Sequence, residues 1–252
     1  MRVASLGSGS KGNATLVQQG DTTLLIDCGF SLRQFTQRLQ RLQMVPQDID
    51  AVLLTHEHGD HSGGVARLCE THSIPLWTAV GTARAVLSSS ALPFEVLLAG
   101  QAVVIGDIEI LPVTVPHDAS EPLQFIFRQP GGGKQFGLLT DTGHITSHIV
   151  EAFGRLDGLL LEFNYDPQML ESGPYPASLK QRVGGDHGHL SNQQSLDLLR
   201  RIDTSKLSCL IAAHISEKNN SAAIVASGIE QIDMLPCPIL ASQEHGFDWI
   251  AI

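Results

Sequence analysis

The sequence predicts an α/β sandwich in which two mixed β-sheets pack face to face and helices cover their outer sides. Short apolar runs rich in valine, leucine and isoleucine alternate with turn residues, which is typical of strands. Helical patterns lie between several of these runs. The first half of the chain opens with paired strands and then a helix, and the second half repeats that order, which fits two packed sheets.

The predicted strands are short apolar segments bounded by turn-forming residues. Gly131-Gly132-Gly133 lies between two of them and indicates a hairpin turn. In chain order the predicted strands cover residues 2–6, 13–18, 22–27, 51–55, 75–78, 108–115, 123–128, 135–140, 158–163, 208–213 and 238–241.

The first predicted helix begins after Ser31, whose side chain is typical of an N-cap. Apolar residues follow it at helical spacing, namely Leu32, Phe35, Leu39 and Leu42. The later predicted helices cover residues 62–71, 82–89, 145–153, 191–202 and 221–233. No segment resembles a linker, so we expect a single domain over residues 1–252.

Composition favours a globular protein with a sizeable core, since hydrophobic residues make up 42% of the chain. No apolar run approaches the roughly 20 residues that span a bilayer, and the first residues lack the pattern of a signal peptide. We therefore expect a cytoplasmic protein without a membrane partner, of open oligomeric state. The scattered cysteines are expected to be buried free thiols, at Cys28, Cys69, Cys209 and Cys237.

The formal net charge of −10 argues against binding nucleic acid through the overall field of the protein, since such proteins are usually basic. Aromatic residues make up only 5%, which predicts few platforms for stacking bases. Part of the negative charge can come from metal ligands. Two divalent ions would add about four positive charges at one place, so local charge matters more than the total.

A dense group of metal-binding side chains, His56-Glu57-His58-Gly59-Asp60-His61, directly follows the fourth predicted strand. Three imidazoles and two carboxylates in six residues cannot all be buried without compensation. Histidine nitrogen and carboxylate oxygen are ligands that Zn²⁺ prefers. In an irregular turn, His56 and His58 can point to one side and leave Asp60 and His61 on the other. The motif therefore favours a site for two metal ions over the alternative interpretation, which is a histidine-rich surface loop.

One segment cannot complete two coordination shells, so distant ligands are required. His117, Asp141 and His214 each follow an apolar predicted strand, where binding and catalytic groups tend to lie. Any one of them alone is more simply a hydrogen-bonding residue at a strand end. Together with the His56–His61 motif, they become candidate ligands.

The full set resembles the ligand series of the metallo-β-lactamase superfamily over nearly the whole chain. The resemblance implies a four-layer αββα sandwich and two divalent metal ions, Zn²⁺ or Mn²⁺. It implies that the first metal is held by His56, His58 and His117, the second by Asp60, His61 and His214, and that Asp141 bridges the two. The diiron members that reduce oxygen or nitric oxide carry a glutamate in place of His58, so the hydrolytic branch is favoured.

Two further segments resemble motifs of the nuclease members, ribonuclease Z and the β-CASP enzymes. They are Leu160-Leu161-Glu162-Phe163-Asn164-Tyr165 and Gly188-His189-Leu190-Ser191. Glu162 can hydrogen-bond one nitrogen of His189 and leave the other to donate a proton to a leaving oxygen. A buried glutamate with a backbone bond and a plain loop histidine are the structural alternatives. The chain has no room for a β-CASP insert between the two motifs and shows no ribonuclease Z arm.

Four segments together resemble the bacterial YycJ/WalJ group, which is linked to 5′-to-3′ DNA exonuclease activity; they are residues 4–14, 25–29, 188–192 and 214–220. The resemblance implies a two-metal-dependent phosphodiester hydrolase that binds nucleic acid and acts as a 5′-to-3′ exonuclease. Single-stranded DNA is the expected substrate and RNA the alternative. A hydroxide that bridges the metals would attack, Asp60 would orient it, and His189 backed by Glu162 would protonate the leaving oxygen.

Four residues close to His189 in sequence are candidates for binding a terminal phosphate: Lys180, Arg182, Ser191 and Asn192. Arginine suits this role through its bidentate fork, although Lys180 and Arg182 can also be solvated helix charges. The glycine-rich loop 8–13 does not have a Walker A pattern. It predicts either a phosphate contact through backbone N–H groups or a tight turn lining the metal site.

Three rival functions are compatible with the metal motif. A small-molecule phosphodiesterase is the nearest, because the chain is acidic and lacks an obvious nucleic-acid exosite. A thioester or lactam hydrolase would share the His56–His61 motif but does not need Glu162 or His189. A metal-binding scaffold without catalysis is disfavoured by the complete ligand series.

Overall fold

A computed structural model of the protein describes residues 1–88 and 90–252. Its strands are β1 (Arg2–Gly7), β2 (Ala14–Gln19), β3 (Thr22–Ile26), β4 (Ala51–Leu54), β5 (Leu76–Thr78), β6 (Phe94–Val96), β7 (Val103–Ile105), β8 (Ile108–Thr114), β9 (Leu123–Arg128), β10 (Gln135–Leu139), β11 (Gly158–Glu162), β12 (Cys209–Ala213), β13 (Ile239–Leu240) and β14 (Phe247–Ala251). Its helices are α1 (Leu32–Gln40), α2 (Gly59–Ser62), α3 (Val65–His72), α4 (Val80–Val86), α5 (Ser147–Ala152), α6 (Pro167–Ser172), α7 (Ala177–Val183), α8 (Asn192–Arg201) and α9 (Ala222–Ile229), with a 3₁₀ turn at Pro46–Asp48.

Within the described residues the strands form two sheets of seven, ordered β14-β1-β2-β3-β4-β5-β6 and β13-β12-β11-β10-β9-β8-β7. In the first sheet, β14, β1, β2 and β3 pair antiparallel, and β3 to β6 pair parallel. In the second, β7 to β10 pair antiparallel and β10 to β13 pair parallel. The two mixed sheets therefore share one plan.

The sheets pack face to face because successive residues of a strand point to opposite sides. In β3, Leu24 and Ile26 belong to a buried cluster that includes Phe125 of the second sheet. Leu25, between them, packs instead with Phe35 of α1 on the outer side. The outer side of the second sheet forms a third cluster with α5, α8 and α9. The predicted sandwich, with helices on both outer faces, is confirmed.

Six strands of the two sheets end at one edge of the sandwich. The parallel strands β3 and β4 of the first sheet end there, as do β10, β11 and β12 of the second. Strand β8 runs in the same direction as β10, since both are antiparallel to β9 between them. The residues that follow these strands meet at this edge, which is where open α/β sheets place ligand sites.

Each predicted strand is present, and each of its ends lies within one residue of the predicted position. The predicted hairpin joins β9 and β10, and Gly131, Gly132 and Gly133 all have positive φ. Three strands were missed. β6 and β7 have only three residues each, too few for a pattern, and β14 is an edge strand paired with β1 alone. The last strand of the described chain, β14, therefore belongs to the same sheet as the first strand, β1.

The helices differ more from their predictions. Ser31 caps α1 as predicted, but the helix ends before Leu42. The predicted helix 62–71 is wrong at its start: α2 and α3 are separated by Gly63 and Gly64. A Cβ at Gly64 would lie 1.9 Å from the carbonyl oxygen of Phe30, so the chain must turn there on a glycine. The predicted helix 221–233 stops at Ile229, and Ser89, the last residue of predicted helix 82–89, lies outside the described residues.

Helices α6 and α7 were not predicted because they bury little. Leu170 is the buried residue of α6, and every residue of α7 is at least partly exposed, so neither has an apolar stripe packed against the core. Cys28, Cys69 and Cys209 are buried free thiols as predicted, but Cys237, beyond the early end of α9, is exposed. Among the described residues, no helix is both long and apolar enough to cross a membrane.

Candidate metal centre

The first group of candidate ligands consists of His56, His58 and His117. His56 Nε2 lies 3.1 Å from His58 Nδ1, and His117 Nε2 lies 3.2 Å from that same atom. His56 Nδ1 bonds Thr55 Oγ1 at 2.9 Å, and His117 Nδ1 donates to the Gly188 carbonyl at 2.9 Å. With their N–H groups turned away, both Nε2 lone pairs point toward His58 Nδ1, as three nitrogens around one cation would.

The second group consists of Asp60, His61 and His214. Asp60 Oδ2 lies 3.5 Å from His61 Nε2 and 3.5 Å from His214 Nε2. His61 Nδ1 donates to Asp27 Oδ2 at 2.7 Å, and His214 Nδ1 donates to Glu162 Oε1 at 3.0 Å. These bonds fix both rings so that each Nε2 faces the Asp60 carboxylate.

Asp141 lies between the two groups. Its Oδ2 lies 3.2 Å from His61 Nε2 and its Oδ1 lies 3.4 Å from His214 Nδ1. Ligand atoms of Asp141, His56 and His61 also lie within 4.8 Å of one another. The carboxylate therefore reaches toward the first group as well as the second, the place that a bridging ligand needs.

Two buried atoms of this centre have no hydrogen-bond partner among the described residues, Asp141 Oδ2 and His214 Nε2. A buried polar atom without a partner costs about 1–3 kcal/mol of stability, so such atoms normally mark an ion or water site. Both atoms belong to the ligand groups, and a divalent cation would satisfy them. The imidazole and carboxylate donors fit Zn²⁺, and the carboxylates also suit Mn²⁺.

The two groups differ in protonation when free of metal. Burial lowers the pKa of His56 and of His117, which keeps both neutral and ready to bind. Burial also opposes charge on His214, but Asp141, Asp60 and Glu162 outweigh it and raise its pKa to about 10. Asp141 and Asp60 likewise raise the pKa of His61 despite its burial. A cation at the second group must therefore displace protons from histidine.

One buried carboxylate, Asp27, orients ligands of both groups. Besides accepting from His61, it accepts the Thr55 hydroxyl at 2.9 Å and the Thr55 backbone N–H at 2.8 Å. The Thr55 oxygen in turn accepts from His56 Nδ1. Asp27 therefore fixes one imidazole of each group, directly in one case and through a hydroxyl in the other.

Three residues of the centre have left-handed backbone conformations: Asp27 (φ 61°), Asp141 (φ 49°) and His214 (φ 54°). Each lies just beyond the end of a strand. This conformation costs a non-glycine residue about 1–3 kcal/mol and persists where surrounding contacts impose it. Here it turns a side chain back toward the edge where the strands end.

Glu162 and His189 form the pair that the sequence predicts. His189 Nδ1 donates to Glu162 Oε1 at 2.8 Å, and the ring lines the cavity above the ligands. Glu162 Oε1 also accepts from His214, while Oε2 accepts the backbone N–H groups of Thr142 and Leu190 at 3.2 Å. Glu162 is fully buried, and His189 and His214 hold the pKa of its carboxyl below the usual value against the effect of burial. The carboxylate is thus shared between His189 and a candidate ligand.

A cavity of about 350 Å³ opens over the centre. Its floor and walls are formed by Ser10, His58, Gly59, Asp60, Asp118, Asp141, Tyr175, Leu179, Arg182, Val183, Gly188, His189 and His214. Loop 8–13 behaves as a tight turn lining the site: Ser8 Oγ accepts the backbone N–H of His214 at 2.9 Å, and Asn13 Nδ2 donates to Asp60 Oδ2 at 3.3 Å.

The four candidate phosphate-binding residues are not brought together. Arg182 lines the cavity, where its Nε donates to Asp118 Oδ2 at 2.6 Å. Lys180 points elsewhere and donates to the Glu171 carbonyl. Ser191 and Asn192 are buried outside the cavity lining. Ser191 caps α8 in a capping box, and the Asn192 amide is paired with Asn220 at 2.8 and 2.9 Å, so both side chains have structural partners instead.

Several residues of the site were not singled out for a role from sequence: Asn13, Asp27, Asp118 and Tyr175. Asp27 carries the same signal as Asp141, a carboxylate just after an apolar strand, and could have been found by it. Asp118 follows His117 but acts on Arg182, which is 64 positions away. Nothing in the sequence pattern links those two.

Comparisons with known proteins agree with this geometry. The family model described as beta-lactamase superfamily domain matches residues 22–215. The chain is 34% identical over 221 residues to the protein named exodeoxyribonuclease WalJ of Streptococcus pneumoniae (serotype 2, strain D39), covering 85% of this chain and 81% of that one. It is 28% identical over 231 residues to exodeoxyribonuclease YycJ of Bacillus anthracis, covering 90% and 87% of the two chains.

Among solved structures, Zn²⁺-bound PqqB from Methylobacterium extorquens superposes over the full length of both chains with a TM-score of 0.76 and 18% identity. This structural similarity shows the fold, and the predicted four-layer metallo-β-lactamase sandwich is confirmed. The matched family model spans most of the chain, and the two relatives match 85% and 90% of it. The chain belongs to the metallo-β-lactamase superfamily and, within it, to the YycJ/WalJ-type family.

Proposed function

We propose that this protein is a metal-dependent phosphodiester hydrolase that removes nucleotides from the 5′ end of single-stranded DNA. The observation that carries the proposal is the Glu162–His189 pair, whose His189 ring lines one cavity with members of both ligand groups. A thioester or lactam hydrolase does not require that pair. The relatives named exodeoxyribonuclease, which the chain matches over more than four fifths of its length, support the same substrate class.

Two divalent cations, Zn²⁺ or Mn²⁺, are proposed for the centre. His56, His58 and His117 would hold one, Asp60, His61 and His214 the other, and Asp141 would contact both. When bound, such cations would neutralise phosphate oxygens and lower the pKa of a bound water molecule toward about 7. The Asp60 side chain, at 23% exposed, is less buried than that of Asp141, at 2%, and Asp60 is proposed to orient that nucleophile while serving as a ligand.

His189 is proposed to protonate the leaving oxygen. Its Nδ1–H is engaged by Glu162, so Nε2 is the nitrogen free to act in the cavity. The buried Glu162 carboxylate accepts from Nδ1 and fixes the orientation of the ring. Arg182 is proposed to bind a phosphate oxygen from the cavity wall, because its guanidinium is exposed there.

Residues 1–252 are proposed to act as a single domain, since β1 and β14 pair in one sheet and ligands come from both sheets. The unpaired cysteines suit a reducing compartment such as the cytoplasm.

The test pairs metal analysis with cleavage assays. Single strands of DNA and RNA, each with a 5′-phosphate or a 5′-hydroxyl, are incubated with the metal-loaded enzyme alongside a small phosphodiester. We expect mononucleotide release from DNA that depends on the 5′-phosphate. Inertness on every strand together with turnover of the small diester would replace the proposal with a small-molecule phosphodiesterase.

A further inference from the structure

The cavity over the metal centre has two unlike sides. Its floor is polar and carries Asp60, His189 and His214, whereas Tyr175, two residues before α7, and Leu179 and Val183 of α7 contribute to the opposite wall. Leu179 and Val183 are four residues apart and so lie on one side of α7, and Tyr175 lies four residues before Leu179. Each is half-buried and so keeps free surface. A charged floor facing an apolar wall matches a ligand with a phosphate at one end and a flat apolar group at the other.

Tyr175 is held in place by its neighbours. Pro174 and Pro176 flank it, and Pro176 is the N-cap of α7. Proline fixes its own φ near −65° and restricts the residue before it to extended conformations. The backbone that carries the ring therefore loses little freedom when a ligand packs on it, which favours binding.

A positive charge lies beside this ring. Lys218 Nζ is 5.5 Å from the centre of the Tyr175 ring. An aromatic ring for the base and a cation for the backbone phosphate are the combination by which proteins hold single-stranded nucleic acid. The low aromatic content of the chain makes a ring at this position more informative, since few others are available.

We propose that Tyr175, with Leu179 and Val183, forms a stacking subsite for the base of the terminal nucleotide, and that Lys218 contacts the adjoining backbone phosphate. This inference rests on the proposed function and specifies its substrate. A strand end enters with its phosphodiester over the ligand floor and its base against the α7 wall. The subsite accepts any base, because every base offers an aromatic face.

The first test compares two 5′-phosphorylated single strands that differ only in whether the first nucleotide carries a base or is abasic. We expect the wild-type enzyme to cleave the natural strand with roughly ten-fold higher kcat/KM, the usual effect of one stacked base. Tyr175→Ala should lose that advantage on the natural strand and cleave the abasic strand as the wild type does. Tyr175→Phe should retain it. Met234→Ala, which removes an apolar side chain that is 96% exposed, is the matched surface control.

The second test does not depend on hydrolysis. Binding of deoxyadenosine 5′-monophosphate and of deoxyribose 5-phosphate to the metal-loaded protein is measured by calorimetry. The wild type should prefer the nucleotide roughly ten-fold and Tyr175→Ala should not. If no strand is cleaved but this preference and its loss are seen, the exonuclease proposal fails while the subsite stands.

If Tyr175→Ala lost kcat/KM equally on the natural and the abasic strand, the ring would only support the packing of the cavity wall. That result would overturn the subsite. An undiminished preference for the nucleotide in Tyr175→Ala would overturn it too. Metal content and thermal unfolding of each variant, with Tyr175→Phe as the folded reference, separate these outcomes from simple misfolding.

Discussion

The floor and the α7 wall of the cavity are built on opposite principles. Most floor ligands are buried and held by another residue, as His61 is by Asp27, and the His61 side chain is 1% exposed. On the wall, the Arg182 side chain is 58% exposed and bonds one partly exposed carboxylate, Asp118. The floor grows from the ends of core strands, whereas the wall is a short helix without a buried residue.

This difference assigns different tasks to the two sides. A metal centre needs ligand atoms fixed to a fraction of an ångström, and strand ends anchored in two sheets supply that rigidity. Substrate choice needs only accessible side chains at a suitable distance, which a lightly packed helix can present. Changes on the floor should therefore alter metal content and turnover, and changes on the wall should alter substrate binding alone.

The largest effect is expected at the floor from Asp60→Ala. Asp60 Oδ2 lies 3.5 Å from the Nε2 atoms of both His61 and His214, so its removal opens the second group. We expect one metal ion fewer per chain and no measurable activity, checked by elemental analysis and a cleavage assay. Glu57→Gln is the control, since Glu57 belongs to the same motif but bonds Ser120 instead. A variant that keeps two ions would contradict the ligand assignment.

His189→Ala tests whether the floor contains a residue that acts without holding metal. Because its ring engages Glu162 and lines the cavity, we expect full metal content and a loss of about 10²–10⁴-fold in kcat, the usual worth of a positioned proton donor. His187→Ala, two positions earlier and exposed, should behave as the wild type. Loss of a metal ion in His189→Ala would make this residue a ligand.

Asp27→Asn probes the support beneath the floor. The amide can still accept from Thr55 but offers an N–H where His61 Nδ1 needs an acceptor. We expect metal affinity to fall by about 10–100-fold, with activity recovering at saturating metal. A metal titration in which activity is measured at each metal concentration gives both the affinity and the recovery. The control is Asp21→Asn, a change of an exposed residue directly before the strand that Asp27 follows. Unchanged affinity would show that the His61 ring is oriented by other contacts.

The floor could be predicted from sequence because its signals are local or repeated. His56 to His61 carry most of the ligand types in six residues, and His117, Asp141 and His214 each follow an apolar strand. Buried strands have regular patterns, so the positions of their ends are also readable. The metallo-β-lactamase resemblance ordered these residues into two groups, and the distances among them agree with that order.

The wall could not be predicted because its residues show no pattern of burial against the core. Without buried residues, α7 has no apolar stripe directed at the core, and Tyr175 meets the floor only through the fold. Nearness to His189 in sequence was also a poor guide to which candidate phosphate-binding residues line the cavity. Lys180 and Arg182 are two residues apart and so point to different sides of a helix. Ser191 and Gln194 have the spacing of a capping box, a signal that predicts a structural role.

The smallest effect is expected on the wall from Arg182→Ala. One charge-assisted bond to a phosphate oxygen is lost at an exposed place, so KM for 5′-phosphorylated DNA should rise by roughly ten-fold while metal content and kcat stay near the wild-type values. Lys180→Ala, on the same helix but directed at Glu171, should change KM much less. Steady-state kinetics at two salt concentrations measure both, since added salt should reduce the difference between Arg182→Ala and the wild type. A loss of kcat or of metal in Arg182→Ala would mean that the wall helps to build the centre, and the division between the two sides would be wrong.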